Sequence, residues 1–184
     1  MPWAVAGAEK FARGGISLLN ALGCVDTLTF GSETGDAAPL MHCAKYLHSD
    51  VFNSDIRPEV AKGVSFAAAR TEAVKKTLGA ETAELLTKPN CILGIEYCKA
   101  ILSLNSNIVP QTVQRIAIGH DSDQVHGAFA SASLIRSRSI EGEEISSYVP
   151  ENTAVCIRAL QNKKQYPTSL SYLDRAVLAA VSAM

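Results

Sequence analysis

TVQRIAIGHDSDQVHGAFASASLIR, residues 112–136, is the stretch on which the fold turns. A β-type run over 112–118 ends in a Gly-His-Asp turn, crosses a polar loop and meets a serine-rich helix start at Ser131. Strand, loop and serine-capped helix in that order describe a βα unit. Its loop lies at the carboxyl end of the strand, where open α/β sheets bind ligands. Ser131 or Ser133 can act as N-cap, and the amide hydrogens of the helix so started carry partial positive charge outward, which suits a phosphate. Arg136 follows within one turn and can add a bidentate clamp. Serine caps and an early arginine also occur in helices that bind nothing, so the motif needs support from elsewhere in the chain.

That support comes from a second passage of the same kind. In VDTLTFGSETGD a buried-type strand over 25–30 is broken by Gly31, and Ser32, Glu33 and Thr34 lead to a helix starting near Asp36. A glycine at a strand end leaves no side chain between the backbone and a nucleotide, although an ordinary turn needs glycine as well.

Elsewhere the chain reads as mostly helical. FARGGISLLNALG is a helix with Phe11, Leu18, Leu19 and Leu22 on one side, Gly23 where a C-cap would end it, and Gly14 and Gly15 marking either a kink or close packing. Residues 37–48 read as helix, 50–57 as a polar connector, and Pro58 as a helix N1 residue. Ser65 can cap FAAARTEAVKKTL, which places Phe66, Ala69, Ala73 and Leu78 on one face and Arg70, Lys75 and Lys76 on a solvated one. Residues 37–86 together read as a helical insertion. Asn90 is an N-cap candidate for the helix carrying Leu93, Tyr97, Ala100, Ile101 and Leu104; its amide could also reach a ligand. After Arg136 come a polar connector with Glu141, Glu143 and Glu144, then helices from about Thr153 and over 169–184.

Composition narrows the class. With 184 residues, 47% apolar, 19% charged and a net charge of −1, the chain is globular and lacks the bulk positive charge of a nucleic-acid coat protein. An RNA partner must therefore meet a local patch; Arg138, Arg158, Lys163 and Lys164 are candidates, or simply solubilising charge. The 5 cysteines are odd in number and form no CxxC pair, which points away from a disulfide framework and toward a reducing cytoplasm. Cys91 and Cys98 share a helix face as buried thiols. No apolar run approaches the roughly 20 residues of a membrane span, and no signal segment follows Met1.

Only two strands are convincing, whereas α/β sheets usually hold about four to six. Together with the abrupt apolar start and end, this suggests an internal piece of a longer protein. Truncation should expose apolar surface and sheet edges, so self-association is expected.

The blocks FARGGISLLNALG, VDTLTFGSE, PNCILGIEY, QRIAIGHD and SASLIR, in this order, resemble the bacterial tRNA(Met) cytidine acetate ligase family, nucleotidyltransferase-like proteins of Rossmann-type HUP fold. The resemblance runs from about Trp3 to the end. It implies an incomplete Rossmann-like α/β parallel sheet with a helical insertion and C-terminal helices. It further implies a partial nucleotidyltransferase-like ATP-binding domain over 1–140, with 141–184 as connector and start of a helical C-terminal domain. Family function implies that ATP, accompanied by Mg²⁺, and acetate form acetyl-adenylate, which acetylates N4 of the wobble cytidine of elongator tRNA(Met). Matched block by block, ATP contacts fall on Gly31, Asn90 and Arg115, and phosphate roles on Ser131, Ser133 and Arg136. His120 and Asp121 match a family turn without a carried-over role. One departure is large. The family's HxGH motif is absent, since none of the 4 histidines (His42, His48, His120, His126) stands in that arrangement. The expectation is thus of a fragment inactive alone. A small-molecule nucleotidylyltransferase of the same fold, and a non-catalytic nucleotide-binding or interaction fragment, remain as alternatives.

Overall fold

The computed structural model describes residues 6–115, 130–166 and 173–182. It divides into two compact units, Met1–Ile116 and Ala117–Met184.

In the first unit, β1 (Thr27–Ser32) and β2 (Val109–Gln114) lie side by side and parallel, in register from Thr27↔Val109 to Ser32↔Gln114. Parallel neighbours require a crossover. Here it consists of α2 (Ala37–Leu47), α3 (Asp50–Val60), α4 (Phe66–Leu78), α5 (Ala80–Glu84), a 3-10 turn (Leu85–Thr87) and α6 (Pro89–Ser103), with α1 (Ala8–Ala21) preceding β1. The architecture is the expected α/β one with a parallel sheet, but both strands are displaced from their predicted bounds. β1 runs through Gly31 to Ser32 rather than breaking there. β2 starts at Val109, before the predicted 112, and residues 116–118 lie outside the described part. Pro110 inside β2 is tolerated for a geometric reason. The amides of Val109 and Arg115 donate to Asp26 O and Ser32 O at 2.8 Å each, so the donor missing at Pro110 falls on the side turned away from β1.

The expected connector at 50–57 is instead the helix α3, and Pro58 lies inside it rather than at N1. Ser49 caps it by accepting from Phe52 N at 3.3 Å, and tertiary ties outweigh its polar sequence. The Tyr46 hydroxyl donates to Asp55 Oδ2 at 2.8 Å and Thr77 Oγ1 donates to the same oxygen at 3.1 Å, joining α2, α3 and α4. Glu59, buried at the end of α3, receives Lys62 and Lys76. Those two ammonium groups hold its carboxyl below the usual carboxylate range. Lys76 therefore does not belong to a purely solvated face, and neither does Arg70, which lies 3.7 Å from the buried Glu96. The Ser65 cap of α4 is as predicted, accepting from Ala68 N at 3.3 Å, whereas Phe66 is 61% exposed and Ala69, Ala73 and Val74 form the buried face.

α6 is buried on more than one side, as expected of a helix without a dominant polar face. Cys91, Ile95 and Cys98 join Leu40, Cys43 and Val74 in the main core, while Ala100 and Ile101 meet Ile16 of α1 and Ile108. Gly94 is where α6 meets β1: an added Cβ would stand 2.6 Å from Phe30 Cε2. The thiols of Cys43, Cys91 and Cys98 are free, and burial pushes them up to about 11, 11 and 12. α1 rests on Ala12 and Ile16 rather than on the predicted stripe; Leu18 and Leu22 are exposed and only Leu19 reaches the core. Gly23 at φ +67° follows its last turn as expected, and open space around Gly15 argues against close packing there.

The second unit contains α7 (Ala132–Glu141), a 3-10 turn (Ser146–Tyr148), α8 (Glu151–Asn162) and α9 (Asp174–Ser182). Gly142, at φ +80°, ends α7 in the left-handed conformation. Arg138 donates to the Tyr148 hydroxyl at 2.9 Å and stacks 5.3 Å from its ring centre, and Arg158 pairs with Glu144 at 3.2 Å. These two arginines are thus tied to their own unit. Among the described residues no helix is long and apolar enough to cross a membrane.

Candidate functional site

The turn after β1 is built from its own side chains. Ser32 is fully buried, and its Oγ accepts from Thr112 Oγ1 at 2.8 Å and from Gly35 N at 3.2 Å, tying the turn to β2. Gly35, at φ +67°, sits where an added Cβ would stand 2.7 Å from Gln114 Cβ, so the turn closes directly onto β2. Asp36 then caps α2, accepting from Ala38 N at 2.9 Å. This order leaves Glu33 projecting from the apex toward α6.

Glu33 meets the first turn of α6. Its Oε1 accepts from Asn90 N at 3.2 Å and from Asn90 Nδ2 at 2.8 Å, and its Oε2 accepts from Cys91 N at 2.8 Å. Burial alone would raise this carboxyl, but the hydrogen bonds from Asn90 and Cys91 outweigh it and bring it down to about 2. Asn90 is accordingly not the N-cap, a position taken by Lys88, with Pro89 opening the helix. On the other flank, the Arg115 amide bonds Ser32 O and its side chain lies along Gly31: a Cβ placed on Gly31 would be 3.1 Å from Arg115 Cγ and 3.9 Å from Nη1. A side chain at Gly31 would press on this arginine and move it by a few tenths of an ångström.

Gly31, Asn90 and Arg115, distant in sequence, are thereby gathered around the β1–α2 turn. Ser131, Ser133 and Arg136 belong to the second unit. There Ser131 is the N-cap of α7, accepting from Leu134 N at 3.1 Å, and Arg136 Nη2 donates to Ser133 Oγ at 3.3 Å. His120 and Asp121 lie outside the described residues. Ser32, Glu33 and Thr112 do the local building and were not singled out from sequence. Glu33 stood in the open as the acidic residue after Gly31-Ser32, but nothing in the sequence points it at Asn90.

A parallel strand pair whose carboxyl end carries a glycine and an arginine is an α/β arrangement with ligand-type groups where such sheets bind ligands. Comparison with known proteins gives the family. The HIGH Nucleotidyl Transferase family model matches residues 1–183, and the chain belongs to that family. It is 36% identical over 184 residues to the tRNA(Met) cytidine acetate ligase of Syntrophotalea carbinolica, covering 98% of this chain and 43% of the relative. Two crystal structures of Thermotoga maritima TmcAL are similar. The apo form has a TM-score of 0.81 at 30% identity, covering 94% of this chain and 43% of that one. The form bound with alpha-thio ATP has a TM-score of 0.79 at 31% identity, covering 92% and 41%. The chain spans less than half the length of these relatives.

Proposed function

We propose that this chain is the ATP-binding part of a tRNA(Met) cytidine acetate ligase, in which ATP and acetate form acetyl-adenylate and the acetyl group passes to N4 of the wobble cytidine. The observation that carries the reading is the Arg115 side chain laid along Gly31, two residues before the Glu33 that holds Asn90. The relatives' names and the ATP analogue in the TmcAL neighbour support it. Attack of acetate on the α-phosphate asks little covalent work of the protein, so positioning and charge stabilisation dominate. Arg115 would balance phosphate charge in the first unit; in the second unit, taken by itself, the amide hydrogens at the α7 start, with Ser131, Ser133 and Arg136, are suited to a phosphate. Among the described residues no three His, Cys, Asp or Glu side chains gather to hold an ion. No step is therefore assigned to a protein-held Mg²⁺. Because the sequence has no HxGH motif, we assign this chain nucleotide binding without turnover. The domain organisation proposed is the ATP-binding domain over 1–140, carrying the helical insertion 37–86, followed by 141–184. The proposed setting is the cytoplasm, with local RNA contacts and self-association through exposed apolar side chains.

Titration calorimetry tests the reading. ATP should bind the chain, and Arg115→Ala should weaken it by about 10-fold or more, the loss expected for a charge-assisted hydrogen bond. Equal binding by both proteins would remove Arg115 from the site.

A further inference from the structure

The start of α6 has its donors spent on the protein itself. Pro89 has no N–H, Asn90 N and Cys91 N donate to the two oxygens of Glu33, and Ile92 N is already bonded to Lys88 O at 2.9 Å. A phosphate brought here would find no free amide in that turn and a carboxylate in its way. What Asn90 retains is neutral: the second Nδ2 hydrogen and the carboxamide Oδ1, in an orientation set by the 2.8 Å bond to Glu33. Arg115, in contrast, keeps an exposed guanidinium along Gly31.

We infer that Glu33 partitions the nucleotide: its carboxylate reserves Asn90 for the uncharged nucleoside, a sugar hydroxyl or base edge, and leaves the phosphates to Arg115. The inference rests on the ATP-binding reading above and makes Glu33 a positioning residue. Glu33 acts in two ways. Its hydrogen bonds fix the carboxamide, and its negative charge, close to the usual anion-binding end of a helix, repels phosphate from a place where helix amides would otherwise attract it.

The experiment is calorimetry on the 184-residue chain with ATP, adenosine and inorganic tripolyphosphate as separate probes. Asn90→Ala should weaken ATP and adenosine by the same factor, about 5- to 10-fold for a neutral hydrogen-bonding group, and leave tripolyphosphate unchanged within about twofold. Arg115→Ala should do the reverse, weakening ATP and tripolyphosphate and sparing adenosine. Glu33→Gln should weaken adenosine as Asn90→Ala does while tripolyphosphate binds as well or better. Thermal melts establish that each variant is folded; if Glu33→Gln is not, the Asn90 and Arg115 pair decides the matter alone. Loss of tripolyphosphate binding in Asn90→Ala equal to its loss of ATP binding overturns the inference while ATP binding itself stands. A wild-type chain that binds none of the three probes overturns the ATP reading and this inference together.

Discussion

Glu33 shows how one side chain acquires a role that its type does not announce. The carboxyl falls to about 2 from 4.5 despite partial burial, because Asn90 and Cys91 donate to its charged form. A group depressed in the folded state contributes stability that is fully present above its unfolded pKa and is lost as pH falls through the folded one. The contribution should therefore fade between about pH 4.5 and about pH 2. Glu33→Gln should lower stability at neutral pH by roughly 1–2 kcal/mol, allowing for solvent screening of a half-exposed group. The gap between wild type and variant should close as chemical denaturation is repeated down that range. A gap constant with pH would mean that Glu33 stabilises by shape alone. Gly31 has the opposite character: it matters for what it lacks, since a methyl there would meet Arg115 Cγ at 3.1 Å and shift the arginine chain by a few tenths of an ångström.

Among the elements, α6 is the one on which the first unit is assembled. It meets α1 through Ala100 and Ile101, α2 through Cys91 and Ile95, and β1 at Gly94. The Gly94 contact is close: an added Cβ would lie 2.6 Å from Cε2 of Phe30, a partly buried ring packed against the core, and 3.0 Å from Cδ1 of the fully buried Leu40. Gly94→Ala should destabilise by about 1–3 kcal/mol, as overpacking does, despite the better helix propensity of alanine. Urea unfolding measures this, and Phe30→Leu in the same chain should recover part of the loss, the non-additivity expected of neighbours. Equal stability of Gly94→Ala and wild type would show that the ring moves freely. α3 makes the complementary point. Asp50, Asn53, Ser54 and Asp55 read as a connector, but the segment is helical because Asp55 and Glu59 have partners on α2 and α4. Local propensity was the weaker influence there.

For the whole chain, the net charge of −1 offers little electrostatic repulsion between copies. At the same time Leu18, Leu22 and Val113 are 68%, 65% and 62% exposed. The chain should therefore associate with itself, its sedimentation-average mass rising with concentration, and Leu18→Glu with Leu22→Lys should reduce that rise. A monodisperse monomer across the range would contradict the proposal. The sequence by itself determined the class of fold, the serine cap at Ser65, a serine-capped helix start at Ser131 or Ser133 and the buried thiols, because backbone periodicity, capping and hydrophobicity act over a few neighbouring residues. Tertiary structure alone decided that Glu33 would clasp Asn90, that Arg115 would lie on Gly31 and that α3 would be a helix. Each of these depends on a partner tens of residues away, and long-range pairing leaves no periodic trace along the chain.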